Sequence, residues 1–265
     1  MKKSLMKVIS AGLILTLGLA FASCSKSGSG EDAKFTIQEG KLIMATNAYF
    51  PPYEFYEGSE IVGIDAEIAK AVADKLGLEL EIQDVEFDSI ITGIQSGKYD
   101  IGLAGMTVTE DRKAAVNFSS TYAKGIQSII VKSGSEITDA DTLIDGDYKI
   151  GVQTGTTGDI YISDAVGAEN EDARVVRFSK GNDAVLALAT DKIDAVVIDN
   201  EPAKSFVAAN DGLEILATPY AEEDYAMAIG KKNDVLLNKV NDALKELTDD
   251  GTIPAIIEKY IPSEG

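Results

Sequence analysis

The sequence contains no histidine, no tryptophan and a single cysteine, Cys24, among its 265 residues. Without histidine the chain lacks the commonest general base, the usual zinc ligand and any serine–histidine or cysteine–histidine nucleophile. One cysteine cannot form an internal disulfide. These absences count against a triad hydrolase and against a zinc protein, so we predict no catalytic residue, no metal site and no cofactor.

Basic residues are also scarce. The chain has 24 Lys and Arg against 44 Asp and Glu, which gives a formal net charge of −20 and a pI near 4.3. Such acidity argues against a nucleic-acid partner and against electrostatic docking on anionic lipid, and it favours solubility outside the cell. Hydrophobic residues still make up 45% of the chain, enough for one large or two medium domains with a packed core.

The N-terminus has the pattern of a secretion signal. Three lysines precede an apolar run over residues 8–22, which is too short to span a membrane comfortably. The run ends in Leu19-Ala-Phe-Ala-Ser-Cys24, which resembles a bacterial lipobox. We therefore expect residues 1–23 to be a lipoprotein signal peptide, Cys24 to be lipidated, and residues 24–34 to be a flexible tether. The alternative is an ordinary signal peptide with a coincidental cysteine.

From Lys41 onward, short apolar runs alternate with amphipathic stretches. The apolar runs predict strands at residues 42–46, 78–85, 101–104, 149–152, 175–178 and 195–198. The amphipathic stretches predict helices at residues 64–76, 90–95, 158–165, 182–189, 202–210, 235–247 and 255–260. This order predicts an α/β protein with mostly parallel sheets, in two doubly wound lobes. Ligands of such folds bind beyond the carboxyl ends of the strands.

The most specific signal is the segment Ala-Gly-Met-Thr-Val-Thr-Glu-Asp-Arg at residues 104–112. Thr109 suits a helix N-cap, and Glu110 and Asp111 suit a first helical turn. Arg112 does not, because a cation there faces the positive end of the helix dipole. Free amides, threonine hydroxyls and a guanidinium together form a socket for a carboxylate. The alternative is a plain capped helix whose arginine pairs with a surface acid.

A second cluster is rich in aromatic residues: five of the eight residues at 49–56 are aromatic, and two prolines stiffen the same loop. A rigid aromatic surface beside a strand end suits a small organic ligand or a cation. We interpret Phe50 as a ligand contact, and Tyr53 and Phe55 as core residues.

Two further motifs come from the second half of the chain. Gln153-Thr-Gly-Thr-Thr-Gly-Asp159 is a turn whose amides can hold an anion, although a plain strand-to-helix turn explains it equally well. Asp199 follows an apolar strand and is a ready acceptor for an ammonium group, unless it merely caps the next helix. Anion sockets from both halves, an aromatic surface and one carboxylate describe a receptor for a zwitterion such as a free α-amino acid.

These motifs resemble those of the extracellular solute-binding proteins of polar amino acid ABC transporters, the family of the histidine, glutamine and arginine receptors. The resemblance runs over residues 41–261. Its landmarks are T-N-A-Y-F-P-P-Y-E-F, V-G-I-D-A-E-I-A, Gly97-Lys-Tyr-Asp-Ile, A-G-M-T-V-T-E-D-R, Val116-Asn-Phe-Ser-Ser-Thr-Tyr122 and Gly151-Val-Gln-Thr-Gly-Thr-Thr.

The resemblance implies contacts to the parts that all α-amino acids share. The carbonyl of Gly105 and the hydroxyl of Thr107 match contacts to the α-amino group, and Asp199 matches the acid that pairs with the α-ammonium. Arg112 matches the bidentate partner of the α-carboxylate, with Thr157 closing from the other lobe.

The resemblance also implies contacts to the ligand side chain. Phe50 and Phe87 match the aromatic residues that sandwich it, and Asn47 and Gln153 lie where family members recognise its far end. Several relatives that bind basic or amide ligands carry aspartate at the position of Asn47, so a strict lysine or arginine receptor is not favoured. Ile198 stands where the glutamine receptor has histidine, which counts against strict glutamine selectivity.

We therefore expect a periplasmic-binding-protein-like type II fold. Its first lobe comprises residues 35–126 and 221–265, and its second comprises residues 127–220. Crossing strands near residues 124–128 and 217–221 would form the hinge.

The resemblance implies a monomeric receptor that captures an α-amino acid and delivers it to ABC permease subunits. The lipid at Cys24 would anchor it to the outer face of the cytoplasmic membrane. The main alternative is an enzyme on the same fold, such as a cyclohexadienyl or arogenate dehydratase, with Glu54 as the only carboxylate beside the aromatic loop. A sensor domain of a larger receptor is a third possibility.

Overall fold

The computed structural model describes residues 35–217 and 219–262. The predicted signal peptide, the tether and Cys24 lie outside the described residues, so their assignments stay predictions. Among the residues that are described, no helix is long and apolar enough to cross a membrane.

The chain alternates strands and helices along most of its described length. The strands are β1 (Lys41–Thr46), β2 (Tyr49–Phe50), β3 (Glu54–Glu57), β4 (Glu60–Val62), β5 (Glu79–Asp84), β6 (Ile101–Gly102), β7 (Val116–Phe118), β8 (Ala123–Lys132), β9 (Ile150–Gln153), β10 (Val175–Phe178), β11 (Ala195–Asp199), β12 (Leu213–Ile215), β13 (Ala221–Tyr225) and β14 (Ala228–Gly230). The helices are α1 (Ile64–Leu76), α2 (Ile90–Gln95), α3 (Glu110–Ala115), α4 (Ala140–Asp145), α5 (Thr157–Val166), α6 (Glu171–Arg174), α7 (Gly181–Ala189), α8 (Asn200–Ala208), α9 (Asp234–Asp249) and α10 (Thr252–Tyr260), and a 3₁₀ turn covers Phe87–Ser89.

Two main sheets organise the molecule. The first has the strand order β5-β1-β6-β14-β7, in which β1 runs parallel to β5 and β6. The second has the order β10-β9-β11-β8-β12, in which β9 runs parallel to β10 and β11. Strands β8 and β14 join these parallel sets in the antiparallel direction. The prediction of mostly parallel sheets therefore holds for the strands that alternate with helices, whereas the joining strands are antiparallel.

Each sheet is covered by apolar side chains on both faces. One buried cluster packs α1, α9 and α10 against the first sheet, and a second packs α2 against the same sheet. Two further clusters flank the second sheet. Phe50 packs against a cluster of each sheet. The molecule is thus a two-lobed α/β structure of the type II periplasmic-binding-protein kind, as the sequence predicted.

The chain passes between the two sheets along β8 and β13, which pair with each other in antiparallel register. The first of these strands covers the predicted crossing. The second lies at Ala221–Tyr225 rather than at residues 217–221. Pro219 cannot donate to a ladder, and the alternation in Ala-Glu-Glu-Asp-Tyr buries Glu223 and Tyr225 while leaving Glu222 and Asp224 exposed. The sequence prediction was therefore wrong by four residues at this strand.

The aromatic loop has more regular structure than the sequence suggested. Strands β2, β3 and β4 form a small antiparallel sheet in which Phe50 lies opposite Glu54. This register places the aromatic ring and the carboxylate side by side at the end of β1.

Candidate functional site

A cavity lies where strands of both sheets end. Its empty space, including the solvent-filled opening, is about 420 Å³. It is lined by Asn47, Phe50, Glu54, Phe87, Ala104, Gly105, Thr107, Arg112, Gln127, Gln153, Thr156, Thr157, Ile198, Asp199 and Tyr225. The nine binding residues predicted from the sequence are all among them. The structure therefore brings the predicted residues together around one space, although what they bind stays a prediction.

Arg112 is the buried cation of this cavity. Thr109 caps α3 by accepting a hydrogen bond from the Arg112 amide at 3.2 Å, as its position predicted. The guanidinium donates to the carbonyl oxygens of Thr107 and Gly155, at 2.8 and 3.0 Å, and lies 5.3 Å from the ring centre of Phe87. Burial lowers its pKa to about 10, against the opposing negative charge of Glu223, so the group remains a cation at neutral pH.

Asp199 is a buried carboxylate that lines the same cavity. It precedes α8, but its side chain does not cap that helix. Its Oδ2 accepts hydrogen bonds from Gln127 Nε2, at 3.3 Å, and from the Tyr225 hydroxyl. Within the described residues, its Oδ1 is buried without a hydrogen-bond partner. Burial, followed by the charge of Glu223, raises the Asp199 pKa well above its ordinary value. The carboxylate is therefore positioned to gain from a nearby cation.

Three further lining residues, Gly105, Thr107 and Thr157, carry smaller polar groups. The Thr107 hydroxyl donates to Glu223 Oε2 at 3.0 Å and lies 3.4 Å from the hydroxyl of Thr157. Gly105 has φ +51°, and a Cβ there would lie 2.8 Å from the Phe50 ring. Its amide donates to Asp65 Oδ2 at 2.8 Å. Glycine is required here by both the backbone conformation and the close approach of the aromatic ring.

Asn47 and Gln153 line the cavity and connect the two sheets. Gln153 Nε2 donates to Asn47 Oδ1 at 2.9 Å and to the carbonyl of Ser179 at 3.1 Å. Asn47 Nδ2 donates to the carbonyl of Val85 at 2.8 Å. Both amides are therefore held by protein partners.

Glu54 is the carboxylate whose direction the sequence left open. It is 1% exposed and lines the cavity, and its carboxyl group is hydrogen-bonded to the buried carboxyl group of Asp65. Burial, and then the charge of Asp65, raises its pKa well above the ordinary value. Asp65 is itself fully buried, and its pKa is raised to about 6 by that burial.

Sequence reasoning missed three residues on the crossing strands: Gln127 and Tyr225, which line the cavity, and Glu223, which is hydrogen-bonded to Thr107 and Gln127. They lie on β8 and β13, where the available signal was the alternation of buried and exposed positions. That alternation predicts which side chains turn inward, but it does not show that they turn toward a site.

The site has no features of a metal centre. Across residues 35–217 and 219–262, no group of three or more His, Cys, Asp or Glu side chains could hold a metal ion. Its chemistry is instead that of paired opposite charges, since a fixed cation and a fixed anion face one cavity between two sheets. This arrangement on a two-lobed α/β fold defines the class of solute-binding proteins.

Comparison with known proteins specifies the class. The model of the bacterial extracellular solute-binding proteins, family 3, matches residues 42–263, and the chain belongs to this family. It is 34% identical, over the full length of both chains, to the arginine-binding extracellular protein ArtP of Bacillus subtilis.

Solved structures agree with this placement. An ancestral arginine-binding protein bound to arginine superimposes with a TM-score of 0.78 at 39% identity, covering 84% of this chain and 98% of that one. The substrate-binding protein of an amino acid ABC transporter gives a TM-score of 0.75 at 33% identity, covering 84% and 99% of the two chains.

Proposed function

We propose that this protein captures an α-amino acid in the cavity between its two sheets and delivers it to the permease of an ABC transporter. The observation that carries this proposal is the pair of buried charges, Arg112 and Asp199, which line one cavity and are supplied by elements of different sheets. A guanidinium binds an α-carboxylate through two parallel hydrogen bonds, and a carboxylate with a free oxygen accepts from an α-ammonium. The names of the matched relatives support both the ligand class and the transporter.

We further propose that the preferred ligand is cationic, with arginine as the leading candidate. The Glu54 carboxylate lines the cavity beside Asp65 and can accept from a guanidinium or ammonium at the far end of the ligand. Two buried acids, Glu54 and Asp199, face one buried cation there, which favours a ligand whose net charge is positive. The names of two of the matched proteins, which include arginine, agree with this charge balance.

This proposal changes the role given to Asn47. On the sequence alone, the neutral side chain of Asn47 disfavours a strict lysine or arginine receptor. In the structure Asn47 is hydrogen-bonded to Gln153 and to the Val85 carbonyl, and so it ties the two sheets together. The negative charge available to a basic side chain comes from Glu54, seven residues further along the chain.

The Glu54→Gln variant tests the ligand assignment. Losing one charged hydrogen-bond partner should weaken arginine binding by about 10- to 100-fold, because such bonds contribute ~1.5–3 kcal/mol. Binding of glutamine should change much less. Calorimetric titration measures both, with Glu57→Gln as the control because Glu57 is exposed at the end of the same strand. Equal arginine affinity in Glu54→Gln and in wild type would contradict a role for this carboxylate.

We propose that lobe 1 comprises residues 35–126 and 221–265 and that lobe 2 comprises residues 127–220, with β8 and β13 as the hinge. Hydrogen bonds from Gln153 to Asn47 and from Arg112 to Gly155 join residues of different lobes. A ligand that contacts both lobes would stabilise closure about that hinge.

We also propose that a monomer of this protein is tethered to the outer face of the cytoplasmic membrane through a lipid on Cys24. The lipobox-like sequence supports this, as does membership of an extracellular family. Metabolic labelling with radioactive palmitate should mark the wild-type chain, and Cys24→Ala should abolish the label and release the protein into the soluble fraction.

We propose a receptor rather than an enzyme, since the relatives reported above are binding proteins. Assays of purified protein with arogenate and prephenate should show no loss of water, and turnover of either would favour the dehydratase alternative.

A further inference from the structure

Two buried polar residues, Glu223 and Gln127, lie on the two strands that connect the sheets. Glu223 is on β13 and Gln127 on β8, and both are at most 6% exposed. In β13 the acids on either side of Glu223 are exposed, so this one carboxylate is turned inward. Placing a charge in the interior is costly unless specific partners compensate it, so the buried carboxylate of Glu223 needs hydrogen-bond donors.

These contacts form a chain of hydrogen bonds that ends on Thr107 and Asp199. Glu223 Oε2 accepts from the Thr107 hydroxyl and from Gln127 Nε2, each at 3.0 Å. The same amide nitrogen donates to Asp199 Oδ2 at 3.3 Å. The amide of Gln127 therefore bridges two carboxylates that would otherwise repel each other.

The chemistry of these groups fixes the direction of each hydrogen bond. An ionised carboxylate only accepts, and a hydroxyl has one proton to give. Because the Thr107 hydroxyl donates its one hydrogen bond to Glu223, the oxygen of Thr107 can meet a ligand only as an acceptor. Asp199 is held through Oδ2, and its Oδ1 stays without a partner in the described part of the chain. Both oxygens are thus reserved for a donor.

We propose that Glu223 and Gln127 are positioning residues that adapt Thr107 and Asp199 to bind an α-ammonium group. Neither needs to touch the ligand. Glu223 makes the Thr107 hydroxyl an acceptor, and Gln127, together with the Tyr225 hydroxyl, holds Asp199 by Oδ2 so that Oδ1 is available to the ligand. This inference rests on the proposed amino acid function. It adds that the ammonium group is recognised by residues fixed to the two crossing strands, and that a ligand lacking this group is discriminated against.

The test compares two ligands, L-arginine and desaminoarginine, which lacks only the α-amino group. In Glu223→Gln, the new amide can donate to Thr107 and reverse its hydroxyl. We expect arginine to bind about tenfold more weakly or worse, because a hydrogen bond to a charged group is lost, while binding of desaminoarginine changes less than about threefold. Glu222→Gln, a substitution at the exposed neighbour on the same strand, should leave both affinities unchanged.

A double-mutant cycle separates positioning from a general structural effect. If Glu223 acts through Thr107, the loss caused by Glu223→Gln should shrink in a Thr107→Val background. Equal weakening of both ligands, or additive effects in the cycle, would overturn the inference. Failure of the wild-type protein to bind arginine or any other amino acid would instead overturn the proposed function.

If Glu223→Gln does not fold, as judged by its thermal melt, Gln127→Met gives the same comparison. Methionine has a similar volume but donates no hydrogen bond to Asp199. This variant should bind arginine more weakly and bind desaminoarginine with nearly unchanged affinity. An unchanged affinity for arginine would overturn the role of Gln127.

Discussion

At the scale of single residues, the bonding of Arg112 shows how the site is prepared. The described hydrogen bonds of the Arg112 guanidinium go to two backbone carbonyls, at Thr107 and Gly155, and not to an acid. Carbonyl partners orient the guanidinium without neutralising it. The remaining N–H groups of a buried cation then favour an anionic partner strongly, because unpaired buried charge is costly.

Replacing Arg112 with alanine should therefore remove the anchor of the ligand carboxylate. We expect binding of arginine to fall at least about 100-fold, because two charged hydrogen bonds of ~1.5–3 kcal/mol each are lost. The ligand-free protein should still fold, with a melting temperature lowered because the carbonyls of Thr107 and Gly155 lose a hydrogen-bond donor. Calorimetry and thermal melts measure the two effects, with Lys113→Ala as the exposed control on the same helix. Near wild-type affinity in Arg112→Ala would refute the assignment.

The buried carboxyl groups predict that binding depends on pH. Burial raises the pKa of both Glu54 and Asp199, so each takes up a proton more readily than an exposed acid. A cationic ligand favours the charged forms and lowers both pKa values. Protons are then released on binding, and affinity falls as the pH is lowered.

Calorimetry between about pH 5 and 7, above the ordinary carboxyl pKa of about 4, should show this release. The observed binding enthalpy should change between buffers of different ionisation enthalpy, with the sign of proton release. Proton uptake would contradict the charge assignment, and so would an affinity that rises toward acid pH.

Some residues of the site could be predicted from the sequence, and others could not. Motifs at strand ends predicted Arg112, Thr107 and Asp199 as binding residues, because a parallel sheet presents side chains to a cleft at its strand ends. Glu54 was noticed, but its direction depends on the pairing of β3 with β2. Glu223 escaped notice because one inward acid in a strand of exposed acids is indistinguishable without the tertiary fold.

At the scale of elements, sequence signals located most long helices and parallel strands. Helix α1 covers the predicted residues, since an apolar face of helical period ends at Gly77. Short elements such as β2, β7 and β14 were not predicted, because two or three residues carry no period and pair only through contacts distant in sequence. Helix α10 begins at Thr252 rather than at residue 255, because Pro254 lies in its first turn, where the missing N–H costs nothing.

Gly63, in the turn between β4 and α1, lies where the structure predicts a large loss of stability on adding a side chain. Its φ is +120°, and a Cβ there would lie 2.3 Å from the carbonyl oxygen of Tyr53. Gly63→Ala should therefore cost at least about 3 kcal/mol in the free energy of unfolding, from backbone strain and overpacking together. Urea denaturation measures this loss.

Gly77 provides the matched control at the other end of α1. It has φ +69°, but no atom lies within 4 Å of the position that a Cβ would take there. Gly77→Ala should cost only about 1–2 kcal/mol, because strain alone remains. Equal losses in the two variants would show that close packing under the aromatic loop is not what requires Gly63.

At the scale of the whole molecule, each sheet has its own apolar clusters, and the polar cavity lies between them. Phe50 packs against clusters of both sheets, while the charged groups that face the cavity come from each. A ligand that joins these groups should stabilise the folded protein as one unit. At a concentration of ~100 times its dissociation constant, it should add about 2.7 kcal/mol to the free energy of unfolding.

A thermal-shift screen of the wild-type protein tests the central claim most directly. The twenty amino acids, with ornithine, citrulline and cystine, would each be added at the same concentration. We predict that arginine raises the melting temperature most, with lysine and ornithine next, because they share its α-groups and its positive charge. A screen in which no amino acid stabilises the protein, or in which a neutral amino acid does so and arginine does not, would contradict the account.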